Sequence, residues 1–393
     1  MTGNGYVRTV TRAGDYPLKG KHSVLGELAI ELTERCDNRC VHCLINRPEG
    51  DREAGSREMG TAFVLDLLAQ AADLGCMTVL FTGGEPLLRP DFAELYLAAR
   101  RSGMRVVLFT NARLITPELA SLIARVPPGR PVEVSVYGMH PHSYDAVAGV
   151  TGAFAEFRRG VELLREYRVQ FVVKQALLPQ NREEVEEFEA WAKTIPGMDA
   201  RPAYSTTFDL RTRRDDPVKN LRIETLRLSP EETVAVLARD PAYLPAAREF
   251  CARFLRPPDD RLFCCGAGLG AAVDAYGTAQ MCLGLRCPAT TYDLRTGSLR
   301  EAMTEVFPRL RERRAENPEY LRRCAVCFLR GLCLQCPARA WTECGTLDTP
   351  VEYFCEVAHT RARHLGLLGA SERGWEVADW QERLRTNTPE TGS

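Results

Sequence analysis

The stretch LAIELTERCDNRCVHC, residues 28–43, decides the reading of this chain. Its first half, LAIEL, is an apolar run of strand length. Its second half places Cys36, Cys40 and Cys43 on the loop that leaves that strand. Three thiolates are one short of the closed set of four that structural zinc takes, although His42 lies among them. A [4Fe-4S] cubane has four irons, so three cysteines leave one iron open for a further ligand.

The strand-and-loop unit recurs downstream. LAIEL is followed by strand candidates MTVLFT, RVVLFT, VEVSVY, VQFVVKQALL and, less regularly, ARPAY, with helix candidates such as TAFVLDLLAQAADLG and DFAELYLAARRSG between them. Continuous apolar strands alternating with helices are the pattern of a parallel sheet built from βαβ units. Six repeats are too few for a closed eight-fold barrel. The expected fold is α/β, a partial (β/α)6 TIM-like barrel, with an open doubly wound sheet as the alternative.

Composition narrows the class. Among 393 residues 45% are hydrophobic, enough for one large core and a second module. The formal net charge is -1 with acids and bases interspersed, so neither nucleic acid nor a membrane surface is an expected partner. The opening residues hold no signal-peptide core and no segment approaches a membrane span, so a soluble, cytoplasmic protein is expected. Fifteen cysteines there point to metal rather than to a disulfide framework.

The expected organisation is an N-terminal extension over 1–24, a barrel over 25–228, linking helices over 229–250, a cysteine-rich domain over 251–365 and a tail over 366–393. Ser229 followed by Glu232 has the form of a capping box that opens a helix just after the charged segment RTRRDDPVKNLRIET. Arg211, Arg213 and Arg214 in that segment are candidates to hold a substrate carboxylate, though a solvated linker is the commoner explanation. The final stretch begins as a helix candidate and ends in polar residues that should fray.

A second motif stands one βα unit after the cysteines. MTVLF runs into Thr82-Gly83-Gly84-Glu85-Pro86, where two glycines let backbone come close to a ligand. In a parallel barrel this turn and the cysteine loop lie on the same carboxyl-end face. GGEP alone is also an ordinary helix-entry turn with proline in its first turn.

CDNRCVHC followed by GGEP resembles the motifs of the radical S-adenosylmethionine enzymes. The resemblance implies that Cys36, Cys40 and Cys43 hold the catalytic [4Fe-4S] cluster, and that His42, Gly83, Gly84 and Glu85 belong to the cofactor site. It also implies that Ser135 of VEVSVYG and Lys174 of FVVKQALLPQN, with Asn181 just beyond, approach the cofactor's ribose or carboxylate. Ser135 equally suits a backbone group, and Lys174 a snorkelling strand residue. Asn111 in FTNARL resembles the family's TNG turn but is followed by alanine.

Eleven of the fifteen cysteines fall between Cys251 and Cys355. Cys265 and Cys282 precede two CxxC pairs, Cys324/Cys327 and Cys333/Cys336, and Cys355 follows; paired CxxC motifs clip thiolates onto metal. Their order resembles the SPASM extension, except that its second pair usually has three intervening residues. The resemblance implies two auxiliary [4Fe-4S] clusters, for three in all: Cys265, Cys282 and Cys336 on the nearer, Cys324, Cys327, Cys333 and Cys355 on the farther. Cys264, Cys251 or Cys287 completes the nearer set, or its site stays open for substrate; Cys264 is alternatively a hydrogen-atom donor. Cys76, in a helix-to-strand turn, reads as a buried structural thiol, and Cys344 has no assignment.

The implied activity is reductive cleavage of S-adenosylmethionine to a 5′-deoxyadenosyl radical that abstracts a substrate hydrogen. PPGRPVEVSVYGMHPHSYDAVAGVTGAF resembles stretches of peptide-modifying maturases, which implies cross-linking or oxidation of a ribosomally made peptide. Only thirty-five residues precede Cys36, so a separate peptide-recognition protein is expected. A flavodoxin or ferredoxin is the expected reductant. The alternatives are a dehydrogenase or epimerase of a sugar or other small metabolite, and a non-catalytic metal scaffold or electron carrier.

Overall fold

The apolar runs form parallel strands: β1 (Glu27–Thr33), β2 (Thr78–Gly83), β3 (Arg105–Thr110), β4 (Val132–Val136), β5 (Phe171–Ala176) and the short β6 (Ala203–Ser205). A computed structural model describes residues 25–198, 201–243, 246–247, 259–263, 265 and 268–386. Its residues divide into two units, Met1–Ile223 with Gly266–Leu310, and Glu224–Cys265 with Arg311–Ser393.

In the first unit each of β1 to β5 is followed by helix: α1 (Thr61–Asp73), α2 (Phe92–Arg101), α3 (Pro117–Arg125), α4 (Pro141–Ala148) with α5 (Ala153–Glu166), and α6 (Val185–Ala192). Buried Val64, Leu67, Leu68 and Ala71 of α1 recur at helical spacing and face the sheet. Thr116 caps α3 by accepting from the Leu119 amide at 3.3 Å, with Pro117 at the first helical position.

Strands β1 to β6 lie side by side in sequence order, all parallel. Right-handed crossovers that always advance the same way put every helix on one face, whereas a doubly wound sheet reverses its order to cover both. The barrel-type reading therefore holds over the doubly wound alternative. On the other face Ala29, Leu80 and Ala272 form an apolar floor with Val107, Phe109 and Leu283.

Three further strands were not legible as strands: β7 (Ala271–Val273), β8 (Thr278–Gln280) and β9 (Thr291–Asp293). Strand β7 pairs in parallel with β1, and β8 and β9 continue the sheet antiparallel, giving nine strands among the described residues. Segments of three residues are too short to show a period, yet they cover the edge that β1 would otherwise expose. The segment 266–310, with Cys282 and Cys287, thus lies with the barrel sheet rather than with the later cysteines.

Cys76 sits between α1 and β2, buried, and donates its thiol hydrogen to the Thr78 carbonyl at 3.0 Å. Burial pushes that thiol up to about 11. Its thiolate fraction near pH 8 is then about a hundredfold below that of an ordinary thiol. Under native conditions iodoacetamide will modify the exposed Cys344 and leave Cys76 intact, as peptide mass mapping would reveal; rapid labelling of Cys76 would contradict the burial argument.

In the second unit α7 (Pro230–Ala238) opens with the expected capping box: Ser229 accepts from the Glu232 amide and the Glu232 side chain accepts from the Ser229 amide. Helices α8 (Pro337–Cys344) and α9 (Glu352–His364) follow. This unit also has an apolar core of Phe328, Leu329, Leu332, Ala362 and Leu365. Leu367, Leu368, Trp375 and Trp380 join it from the stretch expected to be a tail. Among the described residues no helix is long and apolar enough to cross a membrane.

Candidate active site

Beyond β1 the chain makes a two-residue parallel ladder, Arg35 and Cys36 opposite Arg47 and Pro48, so the cysteine loop is pinned at both ends. Its middle is held by the end of α4: the Arg39 amide donates to the Ala148 carbonyl at 2.8 Å and the Val41 amide to the Val147 carbonyl at 3.1 Å. Cys36 and Cys40 are buried and Cys43 is half-buried. Each sulfur has a donor. The Asn38 amide reaches Cys36 Sγ and the Asn46 amide reaches Cys43 Sγ, both at 3.4 Å, and the Tyr137 hydroxyl bonds to Cys40.

Burial pushes the Cys36 thiol well up and the Cys40 thiol up to about 12, with neighbouring thiols adding to the effect. Alone, these groups hold their protons; as thiolates they need cationic charge among them, which iron supplies. Among the described residues no three His, Cys, Asp or Glu side chains converge closely enough to enclose a single metal ion. A cubane's ligands stand at separate corners of a larger body, and three buried sulfurs each provided with a donor are a chemically suited set.

The glycines of GGEP approach the cysteine loop itself. A Cβ on Gly83 would lie 2.1 Å from the Thr33 carbonyl oxygen, and one on Gly84 2.1 Å from that of Arg35. The amides of Gly84 and Glu85 donate to the same two carbonyls at 2.7 and 2.9 Å. Glu85 is buried, and its carboxylate accepts from the Leu87 amide at 3.1 Å, the Thr110 hydroxyl at 2.9 Å and the Asn111 amide at 2.9 Å. Burial, then nearby Asp37, raises it to about 8 against these hydrogen bonds. The motifs after β1 and β2 and the turn after β3 are thereby one assembly.

Of the polar residues in that assembly, the sequence reading singled out Asn111 and Asn181 and missed Asp37 and Arg113. Asn111 Nδ2 donates to Asp37 at 2.7 Å. Arg113 donates to the Asp37 carbonyl and to Asn38 Oδ1 at 2.6 Å each, and pairs with Asp37 and Glu156. Asn181 ties the end of β5 to the Tyr137 carbonyl at 2.8 Å, and so supports the tyrosine beside Cys40. Asp37 and Arg113 carry no spacing signal, whereas Asn111 stood out in the TN pair of the β3 turn and Asn181 by its place just beyond Lys174.

His42 is half-buried against Tyr137 and Phe208, with its Nδ1 buried and without a partner among the described residues. Burial lowers its pKa to about 4, which keeps the ring neutral. Ser135 is half-buried and in register with Lys174. Lys174 Nζ bonds to Glu133 at 3.1 Å and lies 3.2 Å from the centre of the Phe109 ring, so it belongs to the apolar floor's neighbourhood. Burial lowers its ammonium pKa, with Glu133 opposing.

In the charged segment after β6, Arg211, Arg213 and Lys219 are bonded within the fold, while Arg214, Pro217, Val218 and Leu221 are exposed. Arg211 is buried, bonded to Asp215 at 2.9 Å and to the Asn46 carbonyl at 3.2 Å. Arg213 bonds to Glu34 and Asp274 at 2.8 Å each. Lys219 donates to Asn46 Oδ1 at 2.6 Å, on the residue whose amide serves Cys43. Internal carboxylates thus occupy Arg211 and Arg213, two of the three arginines considered, with Arg214, for a substrate carboxylate.

Ala112 takes the position where glycine is usual, and its φ of 64° shows why. A Cβ in the left-handed region costs about 1–2 kcal/mol. Ala112→Gly should stabilise the chain by about 1 kcal/mol, read as a higher urea midpoint; an unchanged or lower midpoint would mean that the strain is absent.

Residues 30–192 match the Radical SAM superfamily. This segment is a radical SAM domain. An AdoMet-dependent heme synthase of Methanosarcina barkeri is 28% identical across 81% of this chain and 93% of its own length. A PqqA peptide cyclase of Gluconobacter oxydans is 30% identical over 43% of this chain, and this chain spans only 46% of that relative. The solved SuiB of Streptococcus suis bound to precursor peptide SuiA has a TM-score of 0.62 at 17% identity, over 83% of this chain and 74% of SuiB. The radical SAM domain covers β1 to α6, and so includes the cysteine loop, GGEP, Asn111, Arg113, Tyr137, Lys174 and Asn181.

Proposed function

We propose that this chain is a radical S-adenosylmethionine enzyme that modifies a ribosomally made peptide by cross-linking or oxidation. The carrying observation is the donor-supplied trio Cys36, Cys40 and Cys43, on a loop entered through Thr33 and Arg35, whose carbonyls accept from the Gly84 and Glu85 amides of GGEP, within a radical SAM domain. Peptide substrates are favoured by the names of relatives, PqqA peptide cyclase and mycofactocin maturase MftC, and by SuiB's capture with a precursor peptide.

Cys36, Cys40 and Cys43 would hold the [4Fe-4S] cluster, with S-adenosylmethionine beside His42, Gly83, Gly84 and Glu85, and Ser135 and Lys174 farther off. When bound, the cluster and cofactor together supply a carbon-centred radical that abstracts a hydrogen atom. The chain's own part is positional. Two backbone amides and Tyr137 stabilise the thiolates, Arg113 balances Asp37, and the floor of Ala29, Leu80, Val107 and Phe109 excludes water.

The farther auxiliary cluster would take Cys324, Cys327, Cys333 and Cys355. All four line one cavity of about 670 Å³ within the second unit, as do Cys265 and Cys336. Burial raises the four thiols, and neighbouring thiols add to the rise at Cys324, Cys327 and Cys333. A Cβ on Gly374 would come within 2.7 Å of Cys327 Sγ, so the chain leaves room at that sulfur. Cys265, Cys282 and Cys336 remain the proposed nearer set. Cys287 is buried, while Cys251 and Cys264 lie outside the described residues. A cytoplasmic setting, a flavodoxin or ferredoxin reductant and a separate peptide-recognition protein complete the proposal.

A second reading, a tetrapyrrole substrate, is favoured by the long alignment with the heme synthase. The test is anaerobic reconstitution, dithionite and S-adenosylmethionine, with candidate precursor peptides or an iron porphyrin offered in parallel. A two-electron mass loss in a peptide together with 5′-deoxyadenosine supports the first reading. Turnover of the porphyrin alone overturns it in favour of the second.

A further inference from the structure

We infer that Arg323 is a positioning residue that sets the reduction potential of the group held by Cys324, Cys327, Cys333 and Cys355. The inference rests on the auxiliary-cluster reading. Arg323 follows the short helix Pro318–Arg322, and its side chain is only 12% exposed. Its Nη2 donates to Cys355 Sγ at 3.4 Å.

The guanidinium is held there from several sides. Glu352 takes two hydrogen bonds, at 2.6 and 3.0 Å, and Glu319 a third at 3.1 Å. Its plane lies over Trp375, 4.6 Å from the ring centre. With so many constraints the contact to sulfur is an imposed orientation, not one rotamer among many. Nε remains buried with no acceptor among the described residues. Buried donors are normally paired, so this fork retains a donor beside a cluster ligand that none of the described residues satisfies.

Other neighbours of Cys355 do not duplicate it. The Gly374 amide donates to His359 Nε2 at 3.0 Å, so that nitrogen is an acceptor and the ring proton sits on Nδ1. Nδ1 is 2.8 Å from the Cys355 carbonyl and 3.6 Å from its sulfur, so its proton serves the carbonyl. Arg373 pairs with Glu356 and lies farther from Trp375, at 5.8 Å. Arg323 is thus the cationic donor to the sulfur among the described residues. One-electron reduction adds negative charge to an iron-sulfur group, and hydrogen bonds to its sulfurs and nearby positive charge favour that state. Arg323 therefore makes the group easier to reduce.

The test uses the full chain with Cys36, Cys40, Cys43 and Cys282 replaced by alanine, reconstituted anaerobically with iron and sulfide and titrated with mediators under electron paramagnetic resonance. Arg323→Gln is expected to keep the parent's iron content and shift the midpoint potential more negative. Arg323→Lys, which keeps charge but not the fork, should fall between. Equal midpoints for parent and Arg323→Gln overturn the inference. Loss of iron from both Arg323 variants also overturns it, by making the residue one of assembly. A parent that binds no iron sinks the auxiliary-cluster reading itself, and the inference with it.

Discussion

Replacing Cys36, Cys40 and Cys43 together with alanine will remove about four irons and bring 5′-deoxyadenosine release down to that of a protein-free control, with the fold retained. Retention is expected because the sulfurs do not hold the loop in place. Its ends are pinned by the Arg35–Arg47 ladder, its middle by the Ala148 and Val147 carbonyls, and its flank by Arg113 on Asp37 and Asn38. Buried thiols replaced by the smaller alanine leave modest cavities, costing about 1–3 kcal/mol in all. Iron analysis, cofactor-cleavage assays and far-ultraviolet circular dichroism on the same preparation check this. Unchanged iron, or cleavage that survives, would remove these residues from the chemistry; an unfolded variant would show that the sulfurs carry the loop after all.

What was legible in the sequence was contiguous. LAIEL and TVLF are buried along their length, and their near-continuous apolar runs record that condition directly, whereas VEVSV alternates buried valines with half-buried Glu133 and Ser135. The cysteine loop and GGEP stood out for the same reason: each concentrates its chemistry within a few residues. Even there the glycines read differently once folded, since Gly83 and Gly84 press on the carbonyls of Thr33 and Arg35. Their small size serves the joint between two loops.

What stayed hidden depends on partners distant in the chain. Arg113 and Asp37 are 76 positions apart and Arg286 and Glu31 are 255 apart, so neither pair leaves a local pattern. Arg211 and Arg213 looked solvated because their carboxylate partners are spread over three segments, at Asp215, Glu34 and Asp274. Strands β7 to β9 were missed because AAV, TAQ and TYD owe their conformation to the edge of β1, not to their own residues.

Arg286→Met will cost about 3–5 kcal/mol at neutral pH, and more at alkaline than at mildly acidic pH. Arg286 is buried, with Nη2 on both oxygens of Glu31 at 2.6 and 2.5 Å and Nη1 on Glu34 at 2.6 Å. Glu34 also accepts from Arg213 at 2.8 Å and from the Tyr276 hydroxyl at 2.9 Å, and Asp274 accepts from Arg213. Three carboxyls facing two guanidiniums leave an excess of negative charge. Burial first, with Glu34 and Asp274 adding to it, lifts Glu31 from 4.5 to about 7, while Arg286 opposes the rise. A carboxyl raised in the folded state contributes stability that is full below its unfolded value and is lost as pH rises through the folded one. Without Arg286 the opposing cation is gone and Glu31 keeps its proton to higher pH. The deficit should therefore be larger near pH 8 than near pH 5.5, where protonation relieves the cluster. Urea midpoints of parent and variant at both pH values measure it. A deficit equal at the two would mean that the lost contacts are steric. No deficit at all would mean that the carboxyls are neutralised without Arg286. The network also joins the end of β1 to the turn after β7, so amides of β7 to β9 should lose hydrogen-exchange protection before those of β2 and β3.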